Sequence, residues 1–217
     1  NLMERTVELM DEHASAKSRA LDLGCAVGRT TFDLSRTFSK VTGLDFSQAF
    51  IDAANVLKSN GRLDYQRLET GQFSTPMVAS VADEIDRDKT DFVVGDAMDL
   101  ADIPALAENG PYDAILLSNL MCRLTTPAAC LTQFTADDTY IGKGGILVFA
   151  SPNTWMEQYT DPDLFLDGGS SEETLAKLGS LLPGFTQMHE EDLPFMIREH
   201  RRKYEYIVSQ VSVWRKD

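Results

Sequence analysis

Residues 21–31 read LDLGCAVGRTT, a short apolar run that enters the turn Gly24-Cys25-Ala26-Val27-Gly28 and leaves as a helix-like segment. Glycines permit a tight turn and let a ligand approach the backbone, and the helix that follows begins with amides lacking intrahelical partners. Such amides favour an anionic group, pyrophosphate or carboxylate. The stretch predicts a nucleoside-binding turn at the end of a first β-strand.

Working outward, apolar positions 2, 3, 7, 9 and 10 give an amphipathic helix over 2–13. Strand-like runs follow at 20–23, 41–44 (closing at Asp45), 92–94 (closing at Gly95-Asp96), 112–117 and 145–150. Helix-like segments fall between them at 30–38, 48–57, 127–134 and 171–182. This alternation predicts an α/β, Rossmann-like fold with a mostly parallel sheet and helices on both faces. The continuous apolar runs AILL and GILVFA suit strands covered on both faces. Two late strands are expected near 185–189 and 204–214, joined by EEDLPFMIREHRRK as a loop, with the last strand antiparallel. Residues 60–91 are too long for an ordinary connection and too poor in apolar residues for a core of their own. They read as an insertion, with a helix or strand near 77–85, in a single domain spanning 1–217.

The chain has 217 residues, 43% apolar and 25% charged, an ordinary globular mix that needs no disulfide or metal to fold. Cys25, Cys122 and Cys130 have no C-x-x-C spacing, which suits free thiols in a reducing cytosol. No window of 18 apolar residues and no signal-peptide pattern occurs, so a cytoplasmic protein without a membrane partner is expected. The net charge of −14 opposes nucleic acid as a partner and favours a small-molecule substrate.

Strand ends collect ligands in open α/β sheets. Asp45 closes the second strand 21 residues after Gly24, where a carboxylate accepts from ribose hydroxyls. Asp96, at the third strand end, can accept from an adenine amino group. A dinucleotide site would carry G-x-G-x-x-G, but positions 26 and 29 hold Ala and Arg. Asp22, just before the turn, would repel phosphates and attract an ammonium. A nucleoside bearing an amino acid fits better, and S-adenosylmethionine is such a ligand. The candidate cofactor residues are Asp22, Gly24, Cys25, Ala26, Gly28, Arg29, Asp45, Phe46, Asp96, Ala97 and Asn119. Cys25 reads as a small packed residue and not a nucleophile.

This set resembles the class I S-adenosylmethionine-dependent methyltransferases. LDLGCAVGRTT is similar to their first motif, GLDFS to the acidic second-strand end and VVGDA to the third, with YDAILLSNLM and GGILVFASP as later motif strands. The resemblance implies a seven-stranded sheet with an antiparallel last strand, and S-adenosylhomocysteine as the product. The Asn/Asp-Pro-Pro-aromatic run of DNA-amine methyltransferases is missing after the fourth strand, which reads SNLMCR. No His/carboxylate cluster has metal-ligand spacing.

Two further stretches, SPNTWMEQY at 151–159 and DLPFMIREHRRKY at 192–204, resemble a narrower family. It is the methyltransferase domain at the carboxyl end of ovothiol-making sulfoxide synthases. The resemblance implies N-methylation of a ring nitrogen of 5-thiohistidine, giving ovothiol, and covalent fusion to an amino-terminal iron-dependent synthase. The chain begins at Asn1 and not Met, in keeping with such a fusion. Asn153 stands where the family pattern has an aromatic. For that substrate, Arg123, Arg198 or Arg202 can take the carboxylate and Glu157 or Glu199 the ammonium. Trp155, Phe195 or Tyr204 can cover the ring, Asn119 can orient ring or cofactor, and His200 is a candidate proton relay. The plainer reading makes Arg-Glu-His-Arg-Arg-Lys a solvated turn and Trp155 ordinary packing. Other readings are methylation of another small acid or amine, or a cofactor-binding domain without turnover.

Overall fold

The computed structural model describes residues 1–217 and shows a layered α/β molecule. Its elements are α1 (Leu2–His13), β1 (Arg19–Leu23), α2 (Arg29–Leu34), β2 (Lys40–Asp45), α3 (Gln48–Asn60), β3 (Arg62–Thr70), β4 (Phe73–Ser80) and β5 (Thr90–Val94). Then come α4 (Pro104–Asn109), β6 (Tyr112–Ser118), α5 (Pro127–Thr135), β7 (Ile141–Ser151), α6 (Ser171–Ser180), β8 (Phe185–His200) and β9 (Lys203–Lys216). Seven strands form one sheet in the order β5-β2-β1-β6-β7-β9-β8. All are parallel except β9, which pairs antiparallel with both β7 and β8.

Strand alternation divides the core into two layers. Leu21, Leu23, Ile115, Leu117, Leu147 and Phe149 enter a cluster of 22 buried residues on one face. Ala20, Ala114, Leu116, Ile146, Val148 and Ala150 join a cluster of 15 that includes Leu9 and Met10 of α1 and Leu34 of α2. Burial on both faces explains the continuous apolar runs. α1 starts on Asn1, whose side chain accepts from the Met3 amide, and it buries Leu2, Thr6, Leu9 and Met10. No helix is long and apolar enough to cross a membrane.

Of the two alternatives left open near 77–85, the strand is the one found: the insertion is an antiparallel β3–β4 hairpin, with Thr75, Met77 and Ala79 of β4 half-buried in alternation with exposed neighbours. Two expectations need correction. The helix expected over 30–38 stops at Leu34, and the chain passes through a turn before the buried Phe38. The second correction is larger. EEDLPFMIREHRRK is not a loop, because β8 runs through to His200 and β9 starts at Lys203. β9 leaves β7 at Gln210, so the β8–β9 ribbon continues past the carboxyl edge of the sheet as a two-stranded arm. Pro194 is tolerated because β8 is an edge strand.

Candidate active site

The carboxyl ends of β1, β2, β5 and β6 surround a cavity of about 640 Å3. Gly24, at the start of the turn after β1, lines it, and Gly24, Ala26 and Gly28 of that turn adopt φ of +79°, +48° and +90°. A side chain at Gly28 would also meet the Phe92 ring at 2.7 Å. The turn and Asp45 fix one another. The Ala26 amide donates to Asp45 Oδ2 at 2.9 Å, and the Ser47 amide donates to Oδ1 at 2.9 Å. Each carboxylate oxygen keeps a further lone pair for a ligand hydroxyl. Asp96 Oδ1 accepts from the Met98 amide at 2.8 Å, which leaves its second oxygen as a free acceptor. Gly95 before it lets Ile103 Cδ1 pack close, where a Cβ would sit 2.0 Å from it and push that side chain aside. Phe46 and Phe50 line the same cavity while 77% and 47% exposed, so flat apolar surface waits beside two acidic acceptors.

A second cavity, about 650 Å3, adjoins the first and shares Asn119 and Arg123 with it. Cys122, Pro152 and Thr154 form its sheet side, and Phe195, Ile197, Glu205, Tyr206 and Ile207 of the arm form the other. Asn119 takes a left-handed φ of +54°, its amide donates to Ala150 O at 2.7 Å, and its Oδ1 accepts from Ser209 at 3.4 Å. Arg123 donates to Thr154 O at 2.9 Å and Cys122 O at 3.0 Å, with its guanidinium 5.3 Å from the centre of the Tyr159 ring. No carboxylate pairs with it, so a charged fork stands unneutralised at the junction of the cavities.

A family model for the methyltransferase domain matches residues 21–137, more than half of the chain. The chain belongs to this methyltransferase family. Its fold is shared with solved structures. The N-methyltransferase NodS from Bradyrhizobium japonicum WM9, in complex with S-adenosyl-L-homocysteine, aligns with a TM-score of 0.60 at 14% identity, over 98% of this chain and 86% of that one. Magnesium protoporphyrin IX methyltransferase from Synechocystis PCC 6803, with bound S-adenosylmethionine, aligns at 0.60 and 13% identity, over 100% and 78%. A structure concerned with conversion of a disulfide bond into a thioacetal group in echinomycin biosynthesis gives 0.62 and 16%, over 97% and 80%. Among curated proteins no sequence matches significantly. The protein is an S-adenosylmethionine-dependent methyltransferase. The donor set fits that cofactor: Asp45 for ribose hydroxyls, the free Asp96 oxygen for an amine, and Phe46 for a flat base.

Of the cofactor residues expected for this methyltransferase, Gly24, Asp45, Phe46, Asp96, Ala97 and Asn119 line the first cavity. Asp22, Cys25, Ala26, Gly28 and Arg29 do not. Asp22 is buried beneath the turn, where Oδ2 accepts from Thr31 Oγ1 at 2.7 Å. Burial, with the nearby Asp45 charge, pushes its carboxyl up to about 6. Cys25 packs under β2 near Gly43, and burial raises its thiol far above the usual range, so it is no nucleophile. Arg29 turns away to Asp33 at 2.8 Å. Phe50, Met98, Leu120, Leu124 and Thr125 complete the lining. Phe50 had a sequence signal, an exposed aromatic in the first turn of the helix after Asp45.

Among the substrate candidates, Asn119, Arg123 and Phe195 meet in the second cavity. Trp155 does not line it; its ring stacks on Phe165 at 5.4 Å beside the core. Arg198, Glu199, His200 and Tyr204 do not line it either, because the strands carry them beyond it to the arm tip. There Arg198 lies near Glu69, Glu199 pairs with Lys203 at 2.6 Å, and His200 Nδ1 accepts from the Arg202 amide at 3.2 Å. Glu157, Arg202 and Tyr159 also lie outside the second cavity. Glu205 and Tyr206, inside the run PFMIREHRRKYEY, are the residues that reach it instead. No group of three or more His, Cys, Asp or Glu converges as a metal site.

Proposed function

We propose that this methyltransferase methylates a ring nitrogen of 5-thiohistidine, giving ovothiol, with the acceptor held between Arg123 and the arm. The observation that carries this reading is the unpaired Arg123 guanidinium where the two cavities join. An α-amino acid with a flat ring presents a carboxylate, an ammonium and an aromatic face. Arg123 suits the first, Glu205 the second, and Phe195 the third.

When bound, the cofactor supplies a methyl group already activated on a sulfonium. What remains for the chain is alignment, worth up to about 7–11 kcal/mol in a well-oriented pair. Asp45, Asp96 and Phe46 fix one reactant, and Asn119, which faces both cavities, sets its position against the other. The acceptor nitrogen attacks with its own lone pair, so no strong base is required. The methylated ring then loses the proton of its other nitrogen towards solvent on the arm side, where Glu205 is exposed. In the same reading the chain is one cytoplasmic domain, covalently fused to an iron-dependent sulfoxide synthase. The three cysteines are free and buried.

The test is incubation with S-adenosylmethionine and a panel of thiohistidine, histidine and other amino acids, read by mass spectrometry. A product about 14 Da heavier from thiohistidine is expected. A methylated product only from another member of the panel would reject the acceptor.

A further inference from the structure

Two β-ribbons lie outside the parallel core of the sheet, and they meet. β3–β4 is inserted just before β5, the strand at one margin, whereas the arm grows from β8 and β9 at the other. Glu69, near the β3–β4 tip, is only 7% exposed although charged. Its Oε1 accepts from Arg67 Nε at 2.9 Å and Nη2 at 2.7 Å. Its Oε2 accepts from the Arg201 backbone amide at 2.9 Å and lies 3.5 Å from Arg198 Nη2. The Arg67 hydrogen bonds, then the Arg201 amide, hold its carboxyl below the usual range.

The arm tip is held locally by exposed polar contacts, such as Lys203 to Glu199, and by no buried apolar side chain. Its two-residue loop, Arg201-Arg202, contains no Gly, Asn or Asp, and neither residue has a positive φ. A two-stranded ribbon standing alone is marginal in water. Between the tip and the sheet, the same ribbon carries Phe195, Ile197, Glu205 and Tyr206, which wall the second cavity. A contact that fixes the tip therefore fixes that wall.

We propose that Glu69 is a positioning residue: it clasps Arg198 and the Arg201 amide, holding the arm where its inner face completes the acceptor cavity. This rests on reading that cavity as the acceptor site. The function assigned to Glu69 is local to the arm, so cofactor binding is outside its reach.

Hydrogen exchange of wild type, Glu69→Gln and Glu69→Ala tests the clasp without any acceptor. Faster exchange confined to residues 194–208, greater for Ala than for Gln, is expected, with S-adenosylhomocysteine affinity within about twofold of wild type. Unchanged exchange in the arm, or acceleration throughout the sheet, would overturn the proposal. With the acceptor found by the panel, Glu69→Ala should raise KM about tenfold, with a smaller rise for Glu69→Gln. An unchanged KM would overturn the positioning role while leaving the acceptor reading intact. A panel without product would reject that reading and leave the clasp to be judged by exchange.

Discussion

The two cavities at the carboxyl edge are built by different means. In the first, Asp45 and Asp96 sit at strand ends and are aimed by backbone amides of Ala26, Ser47 and Met98. In the second, the outer wall is a ribbon beyond the sheet, aimed by side chains and by a contact to a distant hairpin. Backbone-held groups are fixed once the sheet forms. Ribbon-held groups depend on contacts far apart in sequence.

Substitutions can break or sharpen this contrast. Asp45→Ala should have the largest effect, because it removes a charged acceptor for two hydroxyls. At about 1.5–3 kcal/mol for the loss of even one charged hydrogen bond, S-adenosylhomocysteine affinity should fall at least about tenfold by calorimetry. Affinity within twofold of wild type would place the ribose elsewhere.

Asp22 acts on stability. Its folded carboxyl, at about 6, lies above the unfolded value of 3.8. The folded state thus binds more protons between about pH 4 and 6, and this group lowers stability as pH rises through that window. The loss amounts to about 3 kcal/mol at most, from roughly two pKa units at 1.36 kcal/mol each. Asp22→Asn should therefore match wild type near pH 4 in urea unfolding and exceed it above pH 6. Equal curves at pH 7 would show that Asp22 is not strained by burial.

Arg123→Met should give a smaller, one-sided effect. The acceptor KM should rise about tenfold, as expected for one charged contact near a solvent-open cavity, with cofactor affinity changed less than threefold. Equal losses on both sides would mean that Arg123 serves the cofactor.

The sequence told unequal amounts about the two sides. Asp45 and Asp96 were legible because apolar runs end on them, and strand ends collect ligands whatever the tertiary detail. Arg29 misled because its place in the glycine turn says nothing about which way the side chain leaves the helix. The arm was hidden by its own composition. Arg198 to Lys203 looks like a solvated turn, whereas β8 and β9 pair as far as His200 and Lys203, in a register that a charged run does not display. Glu205 reaches the cavity through that register, opposite Ile197 and on the face of Phe195. Trp155, attractive as a ring cover, satisfied the plainer reading of core packing.

Calorimetry on one sample tests the two-cavity account most directly. S-adenosylhomocysteine is titrated into the free protein, and thiohistidine into the protein already saturated with it. The account expects both to bind, with thiohistidine leaving the S-adenosylhomocysteine in place. Displacement of one ligand by the other, or no thiohistidine binding to the loaded protein, would contradict it.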